Sequence, residues 1–350
     1  MSTGKKIRVL VVDDSALARR AISEALKQDP ELLIVGGAVD PYEAREKILE
    51  LAPDVITLDL EMPRMDGLTF LKILMQHHPI PVVVVSSLTQ AGSAKAMEAL
   101  ALGAVDVLAK PDGSRSLGEL AHQLAYHVKA AALSHRPNLK EEPVATSSPT
   151  LPSGTFSTRQ VILIGASTGG VEALRYMLPR LPNGRPPIVV VQHIPKNFSR
   201  LMAERLHEVC PFDVAEAQQG QELHPGLCLI APGDFHLAIL PSGRGYKVRL
   251  TQTPPVHHCR PAVDILFRSG AEHAKDHAVA ALLTGMGVDG ARGMLALHEV
   301  GATTLAEHED SCIVYGMPQA AIKLNAVDRV VTLPHMAAAI LHALNHPKVK

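Results

Sequence analysis

The sequence predicts an α/β protein made of two parallel-sheet domains, and three observations lead to this fold class. Short apolar runs alternate with segments of helical spacing in both halves of the chain, as in β-α units. Residues 134–158 are rich in Pro and Ser and poor in apolar side chains, which is typical of a linker. The length of 350 residues also suits two domains. We therefore expect domains over residues 1–133 and 159–350, joined by a flexible linker over 134–158.

The first half of the chain has the pattern of a doubly wound sheet. Its apolar runs predict strands over residues 7–13, 32–38, 54–59, 81–86 and 105–109. The segments that follow these runs predict helices over residues 15–28, 41–51, 67–76, 93–102 and 115–131. Consecutive β-α units of this kind favour a five-stranded parallel sheet with helices on both faces.

The second half begins and ends with the same alternation but is less regular in the middle. It opens with a strand, a helix, a strand and a helix over residues 161–164, 170–178, 188–192 and 197–209. A stretch rich in Gly and Pro then predicts β-hairpins with strands over residues 227–231, 235–240 and 246–251. Helices over 261–275, 290–299, 316–324 and 335–345 alternate with strands over 279–283, 302–305 and 329–332. We expect a mostly parallel α/β domain with a small antiparallel region.

Composition excludes several classes of protein. Hydrophobic residues make up 47% of the chain, which is enough for two aliphatic cores. The net charge of -1 provides no positive field for nucleic acid or an anionic membrane. No apolar run approaches the roughly 18 residues of a membrane span, and the first run leads into two aspartates as a strand would. We expect a cytoplasmic protein that neither binds nucleic acid nor inserts directly into a membrane.

The cysteines point to a reducing compartment. Cys210, Cys228, Cys259 and Cys312 show no C-x-x-C spacing, so we expect free thiols. His257 and His258 stand directly before Cys259, but adjacent residues rarely converge on one ion. We therefore expect no cofactor in the second domain.

Polar residues stand at the strand ends of the first domain. Asp13 and Asp14 end the first predicted strand, and Asp59 ends the third. Ser86 ends the fourth strand, and Lys110 follows the fifth. The carboxyl ends of parallel strands meet at one edge of the sheet, where crowded carboxylates are costly unless a cation such as Mg²⁺ binds them. A single aspartate there could simply cap a helix, but that explanation is a poor one for all of these positions together.

In the second domain, a serine follows the first predicted strand within a Gly-x-Ser-x-Gly pattern. The pattern spans residues 165–169 and allows a sharp turn that exposes the hydroxyl of Ser167. His193 follows the next strand, and Asp289 lies in a glycine-rich segment after a later one. A serine nucleophile needs a base, and the base needs a third group to fix its tautomer. The sequence therefore predicts that the residues of a Ser-His-Asp site lie together at one rim of the sheet.

A phosphate-binding loop is the alternative explanation of the same glycines. The segment is not G-x-G-x-x-G, and the second strand ends in Gln192 and His193 where an acidic residue would bind a ribose. The loop also lacks the lysine of a Walker-type phosphate site. A serine hydrolase is therefore favoured over a phosphate binder.

Residues 6 to about 130 resemble the receiver domains of two-component response regulators, which have a flavodoxin-like fold. The resemblance rests on Val-Asp-Asp at 12–14, the segment from Asp59 to residue 67, Ser86 and the Lys-Pro pair at 110–111. It implies that a histidine kinase phosphorylates Asp59, with Ser86 as a switch residue and Lys110 neutralising the phosphoryl oxygens. Asp14, Asp59 and the carbonyl of Glu61 would hold Mg²⁺, assisted by Asp13.

One position departs from the receiver pattern. Many receivers have an aromatic switch residue three positions before the lysine, and here that position is Val107. A switch that depends on an aromatic side chain is therefore not expected in this chain.

The second domain resembles the catalytic domain of the chemotaxis protein-glutamate methylesterases. Gly-Ala-Ser-Thr-Gly-Gly at 165–170, Gln-His-Ile-Pro at 192–195, Arg-Pro-Ala-Val-Asp at 260–264 and Thr-Gly-Met-Gly at 284–287 stand in the family's order. That family often has Asn where this chain has Val288. The chain order Ser, His, Asp also differs from that of the α/β-hydrolases.

This resemblance implies an enzyme controlled by phosphorylation. Ser167, His193 and Asp289 would hydrolyse glutamyl methyl esters, and deamidate glutamines, on the cytoplasmic helices of chemoreceptors. The backbone N–H groups of Met286 and Thr168 would bind the oxyanion. The alternative is a response regulator whose second domain is a non-catalytic binding or output module. A DNA-binding output is disfavoured, because the chain is neutral and has no compact basic helix-turn-helix tail.

Overall fold

The structure is a computed structural model that describes residues 5–86, 89–110, 117–134 and 156–348. The chain divides into two compact units, Met1–Ser134 and His135–Lys350. Most of the predicted linker over 134–158 lies outside the described residues, so its boundaries and flexibility stay predictions. None of the helices in the described ranges is long and apolar enough to span a membrane.

The first unit is a doubly wound α/β domain built on one parallel sheet. Its strands are β1 (Ile7–Val12), β2 (Leu32–Ala38), β3 (Val55–Leu58), β4 (Val82–Ser86) and β5 (Asp106–Ala109), in the order β2-β1-β3-β4-β5. Its helices are α1 (Ala16–Leu26), α2 (Pro41–Leu51), α3 (Gly67–His77), α4 (Gln90–Ala101) and α5 (Leu117–Ala132). Each strand lies within a residue or two of its predicted range. The fold class predicted for this half is confirmed.

Short polar side chains begin the helices of this unit. Ser15, Asp40 and Asp66 each accept backbone N–H groups in the first turn of the helix that follows, as N-cap residues do. Valines of β1, β3 and β4 pack with apolar side chains of α1 and α5 to form the core. Burial of these apolar side chains fixes the sheet, so the strand ends form a stable edge.

The second unit has a seven-stranded parallel sheet in its described part. Its strands are β6 (Val161–Ala166), β7 (Ile188–Gln192), β8 (Asp213–Glu216), β9 (Leu227–Ile230), β12 (Ala278–Leu282), β13 (Thr303–Glu307) and β14 (Arg329–Val331). They lie in the order β14-β13-β12-β6-β7-β9-β8. A separate antiparallel hairpin is formed by β10 (His236–Ser242) and β11 (Gly245–Thr251).

Six α-helices cover this sheet. They are α6 (Gly170–Met177), α7 (Phe198–Val209), α8 (Val263–His273), α9 (Ala291–Glu299), α10 (Met317–Lys323) and α11 (Leu333–Asn345), counted within the described residues. The core is aliphatic, and Phe267 of α8 is completely buried in it. The predicted α/β class with a small hairpin is confirmed.

One local prediction was wrong. The run at 227–231 was expected in a hairpin, but β9 pairs in parallel with both β7 and β8. All four residues of β9 are buried. A strand that is covered on both faces is apolar throughout, so its sequence has no alternation from which parallel or antiparallel pairing could be predicted. The short edge strand β8 was missed because Asp213 and Glu216 interrupt its apolar pattern.

Candidate active site and phosphoacceptor site

Three adjacent strands of the larger sheet bring the predicted catalytic side chains together. β6 lies between β12 and β7, and the strands that follow it in the chain lie on both of its sides, with β7, β9 and β8 on one side and β12, β13 and β14 on the other. Ser167 follows β6 and His193 follows β7, while Asp289 lies in the loop after β12. Open α/β sheets form their sites at such a switch point, beyond the carboxyl ends of the strands.

The three side chains form a continuous hydrogen-bonded series. Oγ of Ser167 lies 3.1 Å from Nδ1 of His193, and Nε2 of His193 lies 2.7 Å from Oδ2 of Asp289. The side chains of His193 and Asp289 are only 8% and 3% exposed. With its proton on Nε2, the neutral imidazole donates to the carboxylate and directs the lone pair of Nδ1 toward the serine. This arrangement suits a nucleophile and its base.

The start of α8 holds the carboxylate of Asp289. The backbone N–H of Val263 donates to Oδ2 at 2.7 Å, and the N–H of Asp264 donates to Oδ1 at 3.0 Å. The N–H of Gly290 donates to Oδ1 as well, at 2.9 Å. Burial opposes ionisation, but the hydrogen bonds from His193 and the backbone keep the pKa of Asp289 below its ordinary value. Asp289 is therefore ionised at neutral pH.

The charge of Asp289 in turn acts on the imidazole. Burial of His193 disfavours its charged form, but the neighbouring Cys259 and Asp289 outweigh this effect and raise the pKa of His193 well above its ordinary value. A base of this kind accepts a proton readily and is stabilised once charged.

The backbone of the serine turn is fixed from two sides. The N–H of Ser167 donates to the carbonyl of Thr284 at 3.0 Å, and Gly169 has a φ of 78°, which favours glycine. The side-chain amide of Gln192 donates to the carbonyls of both Ser167 and His193, at 2.8 and 3.0 Å. Sequence reasoning did not assign Gln192 a role, although its position directly before His193 could have suggested one.

The predicted oxyanion residues lie close to Ser167 in the structure. Thr168 follows Ser167 directly and is buried. Gly285, the residue before Met286, lies so close to Ser167 that an added Cβ would be 2.6 Å from the serine Cβ. Met286 therefore directly follows a residue that packs against Ser167. Its part in binding an oxyanion stays a prediction.

Glu307, a buried acid that was not predicted from the sequence, supports the loop that follows β12. Glu307 ends β13 with no exposure, and its Oε2 accepts the N–H of Thr284 at 2.8 Å. Oγ of Ser311 donates to its Oε1 at 3.0 Å. Burial raises the pKa of Glu307 to about 7. Only the fold brings this strand beside β12, so no local pattern could have indicated the contact.

The first unit brings its predicted polar residues to one edge of its sheet. Asp13 and Asp59 are buried at the ends of the neighbouring strands β1 and β3. Nζ of Lys110 lies 2.7 Å from Oδ2 of Asp59 and 2.9 Å from Oδ2 of Asp13. Burial raises the pKa of Asp59 above its ordinary value, with Lys110 opposing the shift and Asp13 adding to it. A carboxylate and a cation thus face each other at this edge of the sheet.

The oxygen ligands expected for Mg²⁺ are also present. One ligand atom each from Asp13, Asp14 and Asp59 lies within 4.8 Å of the others. The backbone N–H of Glu61 donates to Oδ1 of Asp59 at 3.3 Å, which places its peptide at the same site. Crowded carboxylate oxygens are the donors that Mg²⁺ prefers. The residues present therefore fit this cation.

The two remaining receiver positions lie on the neighbouring strands β4 and β5. Ser86 ends β4 and is fully buried, and its carbonyl accepts the N–H of Lys110 at 2.7 Å. Val107, on the neighbouring strand β5, is also buried. A switching role for Ser86 stays a prediction.

The fold and these sites define the class of the protein. It is a receiver-type α/β domain with a cluster of acidic residues at one edge of its sheet, followed by a parallel α/β domain with a Ser-His-Asp arrangement. The CheB methylesterase family matches residues 162–340, and the response regulator receiver domain matches residues 9–122. The chain belongs to the CheB methylesterase family.

Relatives of similar length support this assignment. The chain is 49% identical to a protein-glutamate methylesterase/protein-glutamine glutaminase 2 of Syntrophus aciditrophicus, over 96% of this chain and 98% of that protein. It is 46% identical to a protein-glutamate methylesterase/protein-glutamine glutaminase of Syntrophotalea carbinolica, over 99% of both chains. The crystal structure of the Thermotoga maritima CheB methylesterase catalytic domain matches with a TM-score of 0.51 and 37% identity, covering 52% of this chain and 97% of that one. The predicted family is confirmed.

Proposed function

We propose that this protein is a protein-glutamate methylesterase and protein-glutamine deamidase in which Ser167 is the nucleophile. The observation that carries the proposal is the series of contacts from Ser167 through His193 to Asp289. These residues lie within the span that matches the methylesterase family, and the full-length relatives carry the names of both activities. A non-catalytic output module would not need a buried base aligned with a serine.

The proposed reaction begins at the ester carbonyl of a methylated glutamate. Nδ1 of His193 takes the hydroxyl proton of Ser167 as the serine oxygen attacks that carbon. Asp289 stabilises the imidazolium that forms, and the backbone N–H groups of Met286 and Thr168 bind the oxyanion. The C–O bond to methoxide then breaks as His193 returns the proton, and methanol leaves. An acyl-enzyme ester on Ser167 remains.

Water completes the cycle by the same route. His193 removes a proton from water, the hydroxide attacks the acyl carbon, and the bond to Ser167 breaks with return of the proton to its oxygen. The product is a free glutamate side chain. With a glutamine substrate, ammonia replaces methanol as the leaving group. The substrates that fit this chemistry are glutamyl esters and glutamines on the cytoplasmic helices of chemoreceptors.

The first unit would regulate this site through a phosphoryl group on Asp59, supplied by a chemotaxis histidine kinase. Nζ of Lys110 already lies against the carboxylate and would neutralise the phosphoryl oxygens. Asp14, Asp59 and the Glu61 carbonyl would hold Mg²⁺, with Asp13 in support. The cation, when bound, supplies charge neutralisation for phosphoryl transfer. This role follows from the acidic cluster and the receiver match.

The decisive experiment measures methanol release from methylated receptor by the full-length chain, with and without acetyl phosphate. Replacing Ser167 by Ala should lower kcat by about 10⁶-fold, as in a comparable triad. Replacing the exposed Ser157 by Ala is a matched control, because it makes the same change outside the site. If Ser167→Ala retains the activity of the parent, Ser167 is not the nucleophile.

A further inference from the structure

The proton-accepting nitrogen of His193 has a second neighbour besides the serine. Sγ of Cys259 lies 3.5 Å from Nδ1, the same atom that faces Oγ of Ser167 at 3.1 Å. Nε2 is already directed at Asp289, so the neutral imidazole has one lone pair for two potential donors. Both donors cannot use it at the same time.

The backbone fixes Cys259 in this position. Cys259 and Val256 exchange two hydrogen bonds, with N···O distances of 2.9 and 3.1 Å, and so close a tight turn between β11 and α8. On the other side, the guanidinium of Arg260 pairs with Asp234, with Nε 3.0 Å from Oδ1. The thiol is therefore held against the imidazole from both directions along the chain.

A thiol gives up its proton far more easily than a serine hydroxyl. When the S–H bond of Cys259 breaks, the electron pair stays on sulfur and the proton forms an N–H bond at Nδ1 of His193. The resulting thiolate and imidazolium attract each other, and Asp289 stabilises the imidazolium from its other side. An imidazolium has no lone pair left with which to activate Ser167.

We propose that Cys259 competes with Ser167 for Nδ1 of His193, so that part of the enzyme rests as a thiolate–imidazolium pair in which the serine is not activated. This inference rests on the proposed roles of Ser167 and His193 and adds a residue that tunes their base. Cys259 is not itself a nucleophile toward the ester in this scheme. It sets the fraction of molecules that are ready to react.

Other ionisable groups near the imidazole of His193 can also contribute to the pH dependence of the esterase activity. His257 places Nε2 3.1 Å from Oδ2 of Asp264, and Asp264 is adjacent to the carboxylate of Asp289. The ionisable groups that face His193 or its partners across this site are Asp289, Asp264, His257, His236, Cys259 and Arg260. Among them, only Cys259 shares a hydrogen-bonding nitrogen with Ser167.

The first test compares methanol release by the full-length protein with that of Cys259→Ala and Cys259→Ser. The alanine variant should have a kcat/KM about two- to tenfold higher near neutral pH, because the competing donor is gone. The acid limb of its pH–rate profile, where activity rises with pH, should also lie at lower pH than in the parent. The reason is that no thiolate is left to favour the imidazolium. The serine variant keeps the size and hydrogen-bonding capacity of the side chain but not its acidity, so it should show the same shift of the limb.

The second test measures the reactivity of the Cys259 thiol directly. Iodoacetamide should alkylate Cys259 of the native protein, with the S–C bond forming as iodide leaves and the thiol proton passing through His193 to solvent. Alkylation should stop methanol release, and the rate at Cys259, followed by peptide mapping, should fall several-fold in His193→Ala. Cys210 is the internal control, since burial raises the pKa of its thiol to about 12 and keeps it unreactive.

The outcomes separate this inference from the proposed function. If Ser167→Ala is inactive but both Cys259 variants keep the parent pH profile, the competition is refuted while the triad stands. If Cys259→Ala is slower than the parent but its acid limb is unchanged, the competition is refuted as well, because Cys259 then has only a packing role. If Ser167→Ala is active, the proposed nucleophile itself is wrong, whatever the cysteine variants do.

Discussion

Nε2 of His193 lies 2.7 Å from Oδ2 of Asp289, so the acid of this site holds the distal nitrogen of the imidazole and not Nδ1. The nitrogen nearest the main chain is thereby left for the nucleophile. The acid lies in the loop after β12 and the base follows β7, and these two strands flank β6, which the serine follows. The carboxylate is ionised and buried, which gives it a strong influence on the base.

Replacing Asp289 by Asn should lower kcat by about 10⁴-fold, as the same change does in a comparable triad. The amide removes the negative charge and replaces one carboxylate oxygen by an N–H₂ group. That group cannot accept the backbone N–H groups that donate to the lost oxygen: Val263 donates to Oδ2, and Asp264 and Gly290 donate to Oδ1. The free energy of unfolding should fall as well, by about 1–3 kcal/mol for each buried donor left unsatisfied. Methanol release and denaturant titration measure the two effects. Asp213→Asn, at an exposed site, should change neither, and near-normal turnover in Asp289→Asn would exclude Asp289 from the reaction.

The pH dependence of kcat/KM should show an acid limb above pH 6.5. His193 must be neutral to accept the serine proton, and its neighbours raise its pKa well above that value. Activity should therefore rise with pH through the pKa of His193. A pH–rate profile of the full-length chain at constant ionic strength measures this limb. A limb at or below the ordinary histidine value would contradict the electrostatic role of Asp289 and Cys259.

Much of this architecture was predictable because local patterns and chain order agree. The alternation of apolar runs with helical segments predicted the strands of the first unit closely. Each side chain of the proposed triad also follows an apolar run that forms a buried strand. Residues that act through tertiary contacts were not predictable. Glu307 contacts Thr284 only because β13 lies beside β12, and Cys259 contacts His193 only because of the turn before α8. Periodicity reports which face is buried but not which strand or loop lies against it.

Replacing Glu307 by Gln should stabilise the protein at pH 8 more than at pH 5. The pKa of Glu307 is about 7 in the folded protein and near 4.5 when the chain is unfolded. The folded state therefore binds more protons between these values, and the contribution of Glu307 to stability, complete below about pH 4.5, is lost as pH rises through 7. The penalty at pH 8 should be up to a few kcal/mol, at about 1.4 kcal/mol per pKa unit. Thermal unfolding at several pH values measures it. If the difference in stability between Glu307→Gln and the parent does not change with pH, Glu307 does not titrate in this range.

Replacing Asp59 by Asn should abolish the response of the esterase to acetyl phosphate while leaving its basal rate close to that of the parent. The amide cannot accept a phosphoryl group, and Lys110 loses the carboxylate that it contacts at 2.7 Å. Because burial raises the pKa of Asp59, neutralising it should not destabilise the domain greatly. Methanol release with and without the phosphodonor, together with measurement of acid-labile phosphate on the intact protein, tests both points. Glu46→Gln, which neutralises an exposed carboxylate on α2, is the matched control and should respond as the parent does. Phosphate incorporation that persists in Asp59→Asn would place the phosphoacceptor at another residue.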